Sequence, residues 1–372
     1  MKPRPTIQDV ARATSLSIST ISLVLNNKAH VSEETRRRVK QAIRTLGYHP
    51  VRSARGLASK ASGNIGFLLA DEHFSAVEPF YTRIFLGSEV EARNHNYYIL
   101  LTTVPTRLRK NESIPRFLHE KNVDGVIVAG KINHKLIEYI GKLGLPIVLV
   151  DYALPGKRYS SVLIDNYKGA RVATTHLIET GHSKIAFIGG DPDHPSIAER
   201  FAGYKETLTR YGMPIDPSLV ITDEEDTRIH NGYNAIERLL NRGGKPTALF
   251  AANDAMAIGC MNYLKATGIR IPGDMAIVGF DDIGLSSHVE PPLSTVKVFT
   301  EEMGKIAIRR IVEMIREKTQ HVFTVHLPVE LIVRASSASR VPSPSKRKTP
   351  ISLTRRPRGP AIAEGREKNH GA

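Results

Sequence analysis

Two short segments with apolar residues at helical spacing open the chain, and a tight polar turn joins them. The stretch TIQDVARATSLSISTISLVLN predicts a first helix over Ile7–Ala13 with Thr6 as its N-cap, and a second helix over Ile18–Leu25 capped by Ser17. Ile21, Val24 and Leu25 of the second helix follow an i, i+3, i+4 pattern and should pack inward. This layout is typical of a helix-turn-helix, whose second helix lies in the major groove of DNA.

A third helix is predicted directly afterwards. Ser32 is placed to cap it, two acidic residues occupy its first turn, and Gly47 ends it. Val39, Ile43 and Leu46 fall on one face and should complete a three-helix core. We therefore expect an all-α domain over residues 1–48, followed by a hinge or linker over 49–62.

From Ile65 onward, apolar runs of strand length alternate with amphipathic helical stretches. Strands alternating with helices predict parallel sheets that are covered on both faces. About a dozen strands is too many for one open sheet, so two doubly wound subdomains with a cleft between them are expected over residues 63–336. The chain should cross between the subdomains near 164, 293 and 321. The predicted strands are Ile65–Ala70, Tyr97–Thr102, Gly125–Val128, Ile147–Val150, Lys184–Ile188, Ala248–Ala251 and Met275–Phe280, and the predicted helices include Phe80–Asn94, Tyr167–Thr180, Ser196–Tyr211, Asn231–Leu240 and Met256–Thr267.

Positive charge is concentrated at the two ends of the chain. Residues 1–62 hold 12 Lys+Arg against 3 Asp+Glu, and residues 337–372 hold 9 against 2, so the net charges are +9 and +7. The whole chain carries +15, which leaves the middle at −1. A neutral body with basic ends predicts a polyanionic partner at the ends. The tail over 337–372, rich in Pro, Ser, Arg and Gly, is expected to be disordered.

The remaining composition narrows the class of protein. The single cysteine, Cys260, excludes an internal disulfide and fits a reducing cytoplasm. The first residues lack the apolar core of a secretory signal, and no stretch approaches the ~20 apolar residues of a membrane span. We therefore expect a cytoplasmic protein without a membrane partner.

A series of motifs resembles the lactose-repressor/galactose-repressor (LacI/GalR) family over roughly residues 5–336. Besides the helix-turn-helix, these motifs are VSEETRRRVKQAIRTLGYHP, DGVIVAG, PIVLVDY, HLIETGHSKIAFIGG, ERFAGY, PTALFAANDAMAIGCM, and IPGDMAIVGFDDI followed by PPLSTV. The resemblance implies a DNA-binding transcriptional regulator, most often a repressor. It also implies a periplasmic-binding-protein-like domain that holds an effector in its cleft. A homodimer on a palindromic DNA operator is the expected assembly.

The resemblance also implies which residues meet DNA. Ile18, Ser19 and Leu23 match positions that read base edges, where the two apolar side chains offer only contacts such as one to a thymine methyl. Leu23 could instead belong to the core. Leu57 matches the leucine that the family wedges into a base step, although Val51 and Gly56 depart from the family's usual hinge. The other expected DNA contacts are Thr6, Ser17, Thr20, Ser22, Asn26, His30 and Arg55.

Ten residues are candidates for the effector site. Asp151, Arg200, Asn253 and Asp281 match the family's ligand positions, and their carboxylate, guanidinium and amide groups suit vicinal hydroxyls. Asn253 and Asp281 could instead bond their own loops, and Phe80 and Tyr81, which match ring positions near the ligand, could simply pack at a helix start. A sugar is the expected effector and a purine remains possible. The further candidates are Asp71, Tyr152, His194 and Ser196.

Two other classes of function compete with a DNA-binding regulator. A sugar-binding protein without DNA binding conflicts with the intact helix-turn-helix. An enzyme is not favoured, because the sequence shows no nucleophile elbow, P-loop or dinucleotide fingerprint, and the 14 histidines lack metal spacing. We expect neither a cofactor nor a metal. The sequence leaves open whether the protein represses or activates, and whether its effector is an inducer or a corepressor.

Overall fold

The chain folds as a three-helix domain followed by two α/β lobes. The structure is a computed structural model, and it describes residues 5–25, 31–48, 61–73, 79–105, 114–154, 156, 159–319 and 321–337. The three-helix domain comprises α1 (Ile7–Thr14), α2 (Ile18–Leu25) and α3 (Glu33–Leu46). This arrangement confirms the predicted helix-turn-helix.

Local polar contacts fix the ends of these helices. The Asp9 carboxylate accepts hydrogen bonds from both the backbone N–H and the hydroxyl of Thr6, at 2.8 Å each, within a capping box at the predicted N-cap. The Ser17 hydroxyl oxygen accepts the Thr20 N–H at 3.1 Å and starts α2. Gly47 ends α3 with a left-handed φ of 64°. The core formed by the three helices contains Val10, Ile21, Val24, Val39 and Tyr48.

The twelve strands of the described residues form two six-stranded sheets, which confirms the predicted pair of subdomains. The sheet of the first lobe has the order β11-β5-β4-β3-β1-β2 and is parallel throughout. The sheet of the second lobe has the order β12-β10-β9-β8-β6-β7, and only its edge strand β12 is antiparallel. The strands are β1 (Asn64–Ala70), β2 (Tyr98–Val104), β3 (Gly125–Ala129), β4 (Ile147–Val150), β5 (Ser160–Ile164), β6 (Ile185–Gly190), β7 (Val220–Glu224), β8 (Ala248–Ala251), β9 (Ala276–Asp281), β10 (Ser294–Lys297), β11 (Thr324–Leu327) and β12 (Glu330–Ile332).

Helices cover both faces of each sheet. In the first lobe, α4 packs against α11, where a Cβ added to Gly87 would collide with the Glu301 backbone and one added to Gly304 with the Ile84 backbone. The two glycines therefore let the helices approach closely, and they hold α11 on the first lobe. The helices after the DNA-binding domain are α4 (Phe80–Asn94), α5 (Arg116–His119), α6 (His134–Lys142), α7 (Asn166–Glu179), α8 (Pro195–Arg210), α9 (Ile229–Asn241), α10 (Asp254–Ala266) and α11 (Thr300–Glu317).

The chain crosses between the lobes three times. It leaves the first sheet after Ile164, returns after Lys297 and leaves again after Leu327. The expected crossings near 293 and 321 thus lie a few residues too early, because Ser294–Lys297 pairs with β9 and Thr324–Leu327 pairs with β5. Ser337, which the sequence analysis assigned to the tail, is fully buried and its hydroxyl bonds Ser294 at 2.7 Å.

Candidate effector site and DNA-reading surface

A cavity of about 460 Å³ opens between the two lobes, at the carboxyl ends of their parallel strands. Clefts at this edge of doubly wound sheets are the usual place for small ligands. Eight of the ten predicted effector residues line it: Phe80, Tyr81, Asp151, His194, Ser196, Arg200, Asn253 and Asp281.

The first lobe contributes a buried carboxylate and two aromatic rings. Asp151 follows β4 with a left-handed φ of 56°, and its Oδ2 accepts a hydrogen bond from the Tyr81 hydroxyl at 2.8 Å. Burial raises the pKa of Asp151, and burial together with the neighbouring Asp151 raises the pKa of Tyr81. Phe80 meets Tyr81 edge-on at the start of α4. The Tyr81–Asp151 contact shows that Tyr81 does more than pack at the start of a helix.

Arg200 of α8 is the central cation of the second lobe and is only 4% exposed. Its Nε donates to Asn166 Oδ1 at 2.9 Å and its Nη1 to the Ala252 carbonyl at 2.5 Å. Its Nη2 lies 3.4 Å from Asp281 Oδ1, and the guanidinium stacks 3.7 Å from the Phe280 ring centre. These contacts fix the guanidinium at the cleft wall, with three of its five N–H donors engaged.

Asn253 and Asp281 combine structural contacts with their place on the cavity wall. Asn253 Oδ1 accepts the Met256 N–H at 2.8 Å and caps α10, while its Nδ2 donates to the Thr227 carbonyl at 3.0 Å. Asn253 thus bonds its own loop, which was the alternative that the sequence left open. Asp281 ends β9 with a φ of 111°, a left-handed conformation that a non-glycine residue rarely adopts. Its carboxylate reaches Arg200.

His194 and Ser196 bring the start of α8 against the first lobe. The Ser196 hydroxyl donates across the cleft to Asp151 Oδ1 at 3.4 Å. Burial, Arg200 and Lys131 lower the pKa of His194 to about 4, so its ring is neutral at physiological pH. The buried His194 Nδ1 has no hydrogen-bond partner among the described residues and faces a site where a ligand could supply one.

Two predicted effector residues lie away from the cavity wall. Asp71 is exposed in the short 3₁₀ turn Asp71–His73. Tyr152 is buried beneath the first sheet, and its hydroxyl lies 2.6 Å from Nε2 of His134. Tyr152 thus packs in the core of the first lobe, while the preceding Asp151 lines the cavity.

The cavity also has lining residues that the sequence analysis missed. The polar ones are His73, Lys131, Asp191, Glu225, Asp226, Thr227 and Arg228. Four of them form the loop after the edge strand β7, which was not among the predicted strands. Recognising β7 would have placed this loop at the same sheet edge as Asn253 and Asp281.

The predicted base-reading residues lie on the exposed side of α2. Ile18 is 45% exposed and Leu23 is 40% exposed, whereas Ile21 between them is fully buried. The alternative that Leu23 belongs to the core is therefore wrong. Ser19 and Ser17 are also exposed, and Thr20 is half-buried. Thr6 is exposed at the start of α1, and Ser22 is half-buried on α2. Asn26, His30, Arg55 and Leu57, together with hinge residues 49–60 and the tail beyond Ser337, lie outside the described residues.

Two negative findings apply to the part of the chain that the structure describes. None of its helices is long and apolar enough to cross a membrane. It contains no group of three or more His, Cys, Asp or Glu side chains arranged to hold a metal ion.

Comparison with known proteins identifies the class to which this architecture belongs. Residues 6–51 match the family described as bacterial regulatory proteins, lacI family, and residues 174–337 match the periplasmic binding protein-like domain. The regulator CelR of Thermobifida fusca is 35% identical over 90% of this chain and 98% of its own length. Catabolite control protein A of Priestia megaterium is 34% identical over 89% of this chain and 99% of its own length.

Solved structures of similar regulators share the fold of this chain. A CelR–cellobiose complex is 34% identical, covers 90% of this chain and all of its own, and superposes with a TM-score of 0.69. The lac repressor dimer bound to operator and the anti-inducer ONPF is 26% identical, covers 90% of this chain and 99% of its own, and gives a TM-score of 0.77. The chain belongs to the LacI family of transcriptional regulators. It is a DNA-binding regulator controlled by a small-molecule effector, and not an enzyme.

Proposed function

We propose that this chain is a homodimeric cytoplasmic repressor whose affinity for a palindromic operator is set by an uncharged sugar bound between its lobes. The observation that carries the proposal is the polar network of the cleft. Tyr81 and Asp151 of the first lobe meet Ser196 of the second, and Arg200 and Asp281 stand beside them. Fixed donors and acceptors that meet from two lobes suit the hydroxyl groups of a sugar and respond to lobe closure.

The charge of the cavity wall favours a neutral effector over a phosphorylated or acidic one. Its described lining includes five acidic residues, Asp151, Asp191, Glu225, Asp226 and Asp281, against the bases Lys131, Arg200 and Arg228. Arg228 is already paired with Asp226 at 2.6 Å, and the low pKa of His194 leaves that ring uncharged. An anionic ligand would therefore meet a net negative wall.

Eight side chains are proposed to contact the effector, namely the eight predicted residues on the cavity wall. Asp151, Arg200, Asn253 and Asp281 would bind hydroxyl groups, with His194 and Ser196 adding hydrogen bonds. Phe80 and Tyr81 would cover an apolar face of the ring. Those two rings and His73, which stacks on Tyr81 at 4.5 Å, also favour a nucleobase as the second candidate.

DNA recognition is proposed to use the exposed side of α2. Ile18 and Leu23 would contact thymine methyl groups and Ser19 a base edge, which predicts a T-rich or relaxed operator preference. Leu57 would wedge into the central base step and bend the operator. The remaining contacts, mostly to phosphates, are assigned to Thr6, Ser17, Thr20, Ser22, Asn26, His30 and Arg55.

A homodimer is supported by an exposed apolar strip on the first lobe. Leu86 and Val90 lie one turn apart on α4 and are 52% and 48% exposed, and Tyr98 at the start of β2 is 64% exposed. Such a strip predicts a protein partner, and the lac repressor structure, which matches over 90% of this chain, is a dimer. A second copy of this chain is the proposed occupant, since two readers one helical turn apart recognise a palindrome.

Calorimetry on the full-length protein tests the effector assignment. Cellobiose, ribose, glucose 6-phosphate, adenine and hypoxanthine would each be titrated, and binding to an operator selected from random DNA would be followed by anisotropy. We expect a neutral sugar to bind and to shift operator affinity, and Asp281→Ala to weaken both effects at least ~tenfold while Asp274→Ala leaves them intact. Binding of a nucleobase alone would establish the second candidate. Binding of glucose 6-phosphate in preference to both sugars would refute the charge argument.

A further inference from the structure

A second buried carboxylate lies directly behind the proposed effector site. Asp254 is the first residue of α10, follows Asn253, and is fully buried without lining the cavity. Its Oδ2 accepts hydrogen bonds from the Ile283 backbone N–H at 3.0 Å and the Ser286 hydroxyl at 2.6 Å, and its Oδ1 accepts one from the Thr295 hydroxyl at 2.5 Å. All three partners donate to the carboxylate oxygens, which act only as acceptors in these contacts.

These hydrogen bonds hold the segment that presents Asp281. Asp281 and Asp282 have φ values of 111° and 54°, both in the left-handed region that non-glycine residues avoid. The Asp282 N–H donates to the Thr295 hydroxyl oxygen at 3.3 Å, and the same hydroxyl donates a hydrogen bond to Asp254 Oδ1. Two consecutive backbone N–H groups, those of Asp282 and Ile283, are thereby tied to Asp254, one through Thr295 and one directly.

Two further residues complete this arrangement. A Cβ added to Gly279 would overlap Asp254 Oδ1, so glycine at that position of β9 makes the room in which the carboxylate lies. Arg334, just after β12, pairs with Asp282 Oδ1 at 2.7 Å and donates to the Leu293 carbonyl at 2.8 Å. The left-handed turn is therefore held from both sides.

We propose that Asp254 is a positioning residue for the effector site, holding the Asp281 carboxylate in place beside Arg200 through Thr295 and the turn at Asp282–Ile283. A strained backbone conformation persists only where its surroundings over-determine it, and here the surroundings are the hydrogen bonds to Asp254. A site built on such a pre-ordered turn binds its ligand without an added ordering cost. The proposal rests on the assignment of Asp281 as an effector ligand made above.

The energetic cost of Asp254 supports this role. Burial and, to a smaller extent, the neighbouring Asp282 raise the pKa of Asp254 to about 7 against the hydrogen bonds from Ser286, Thr295 and Ile283, which lower it. The cation nearest to this pair in the hydrogen-bond network, Arg334, is engaged by Asp282. A buried carboxylate without a direct cationic partner lowers stability. In this protein, the loss of stability is offset by a functional gain, because Asp254 fixes the turn that carries Asp281.

Thr295→Val tests the proposal because it keeps the side-chain shape and removes only the hydroxyl that links Asp254 to Asp282. Thr174→Val is the matched control, since Thr174 is equally buried in the same lobe and its hydroxyl bonds only within α7, to the Ala170 carbonyl at 2.8 Å. Hydrogen exchange of the full-length protein without ligand would be compared over residues 281–287. We expect amide exchange of Asp282 and Ile283 to rise about tenfold in Thr295→Val and Asp254→Asn, and to stay unchanged in Thr174→Val.

Crystal structures of the same variants provide the readout of position. We expect the distance from Arg200 Nη2 to Asp281 Oδ1 to lengthen beyond hydrogen-bond range in Thr295→Val and Asp254→Asn and to be unchanged in Thr174→Val. Equal exchange in all variants, or an unmoved Asp281, would overturn the positioning role. If Asp281 moves as expected but Asp281→Ala leaves cellobiose binding unaltered, the positioning role stands and the assigned effector site is wrong.

Discussion

Ser196 and Asp151 come from different lobes, and the Ser196 hydroxyl donates to Asp151 Oδ1 at 3.4 Å across the cleft. Asp151 is held on its own side by Tyr81, whereas Arg200 and Asp281 both belong to the second lobe. A ligand that bridges Asp151 and the Arg200–Asp281 pair would therefore favour one separation of the lobes over another. A ligand shifts a conformational equilibrium only through such a difference in affinity between two states.

The effector response should depend on Asp281 and Arg200 in different ways. Asp281→Ala should weaken sugar binding at least ~tenfold, the usual scale for losing a hydrogen bond to a charged group, and leave operator affinity unchanged. Arg200→Ala should abolish the response too, but it also leaves Asn166 and the Ala252 carbonyl without their donor and should lower the melting temperature. Calorimetry with cellobiose and thermal unfolding separate the two effects. An unaltered response in Asp281→Ala would mean that this carboxylate serves the structure alone.

Leu23→Ala should impair operator recognition without unfolding the domain. The side chain is 40% exposed, so its truncation should change the free energy of unfolding by no more than about 0.5 kcal/mol. Loss of a base contact should lower specific affinity by roughly 1–3 kcal/mol, while binding to random DNA persists. Anisotropy with both DNAs measures this. Ile21→Ala, two residues away and fully buried, is the contrasting variant and should destabilise the domain by about 2–5 kcal/mol.

A charge on the exposed strip of α4 should break the proposed dimer. Leu86→Glu places a carboxylate among the exposed apolar residues Leu86, Val90 and Tyr98, where burial in an interface would cost several kcal/mol. Sedimentation should show a monomer that has lost tight operator binding but keeps its fold. Val172→Glu, on an exposed position of α7, should remain dimeric. A wild-type protein that is monomeric at micromolar concentration and binds DNA as a monomer would contradict the assembly itself.

The basic tail should contribute affinity for DNA but not for the effector. Ser337 is buried and bonded to His176 at 2.8 Å, so the truncation belongs after Ser337. Removing residues 338–372 takes away 9 Lys+Arg and 2 Asp+Glu, and because fewer counterions are then released, the salt dependence of binding should become shallower. Fold, dimer and sugar binding should not change. An identical salt slope with and without the tail would show that its charges do not meet DNA.

The sequence predicts three central strands well because they are buried on both faces, although it missed the central strands β5 and β10. β3, β4 and β8 are continuous apolar runs, and their predicted bounds agree with the structure to within one residue. β7 (VITDE) and β12 (ELI) escaped prediction because edge strands carry exposed polar residues that break the pattern. The missed edge strand β7 is also why the cavity residues Glu225–Arg228 were overlooked.

The residues of the site were predictable only where the local sequence determines which way a side chain points. The motifs pointed to Asp151, Arg200, Asn253 and Asp281, and these four residues line one cavity. They do so because each follows or faces the carboxyl end of a parallel strand. Tyr152 was misplaced, since the left-handed turn of the backbone at Asp151, after β4 has ended, is not visible in the sequence pattern. The contact between Asp254 and Thr295 joins residues 41 apart in sequence, and no local pattern indicates it.

Asp254 should make the stability of the protein depend on pH. Burial raises its pKa from 3.8 to about 7, so between these values the folded state binds a proton that the unfolded state has released. The free energy of unfolding should therefore fall as pH rises from about 4 to 7, by up to about 4 kcal/mol from this group, and should level off above pH 7. Asp254→Asn cannot titrate and removes this contribution.

His194 acts in the same range with the opposite sign. Its pKa is lowered from 6.5 to about 4, so the unfolded state binds the extra proton and His194 reduces stability as pH falls from 6.5 to 4. In the wild-type protein, the opposite contributions of Asp254 and His194 to the free energy of unfolding therefore partly cancel. The difference in the free energy of unfolding between Asp254→Asn and the wild type, measured by urea denaturation at pH 5, 6, 7 and 8, retains the His194 contribution in both proteins and isolates Asp254. This difference should favour the variant increasingly up to pH 7. A difference that is constant from pH 5 to 8 would mean that Asp254 does not titrate there, and that its carboxylate lies ionised behind Asp281 throughout this range.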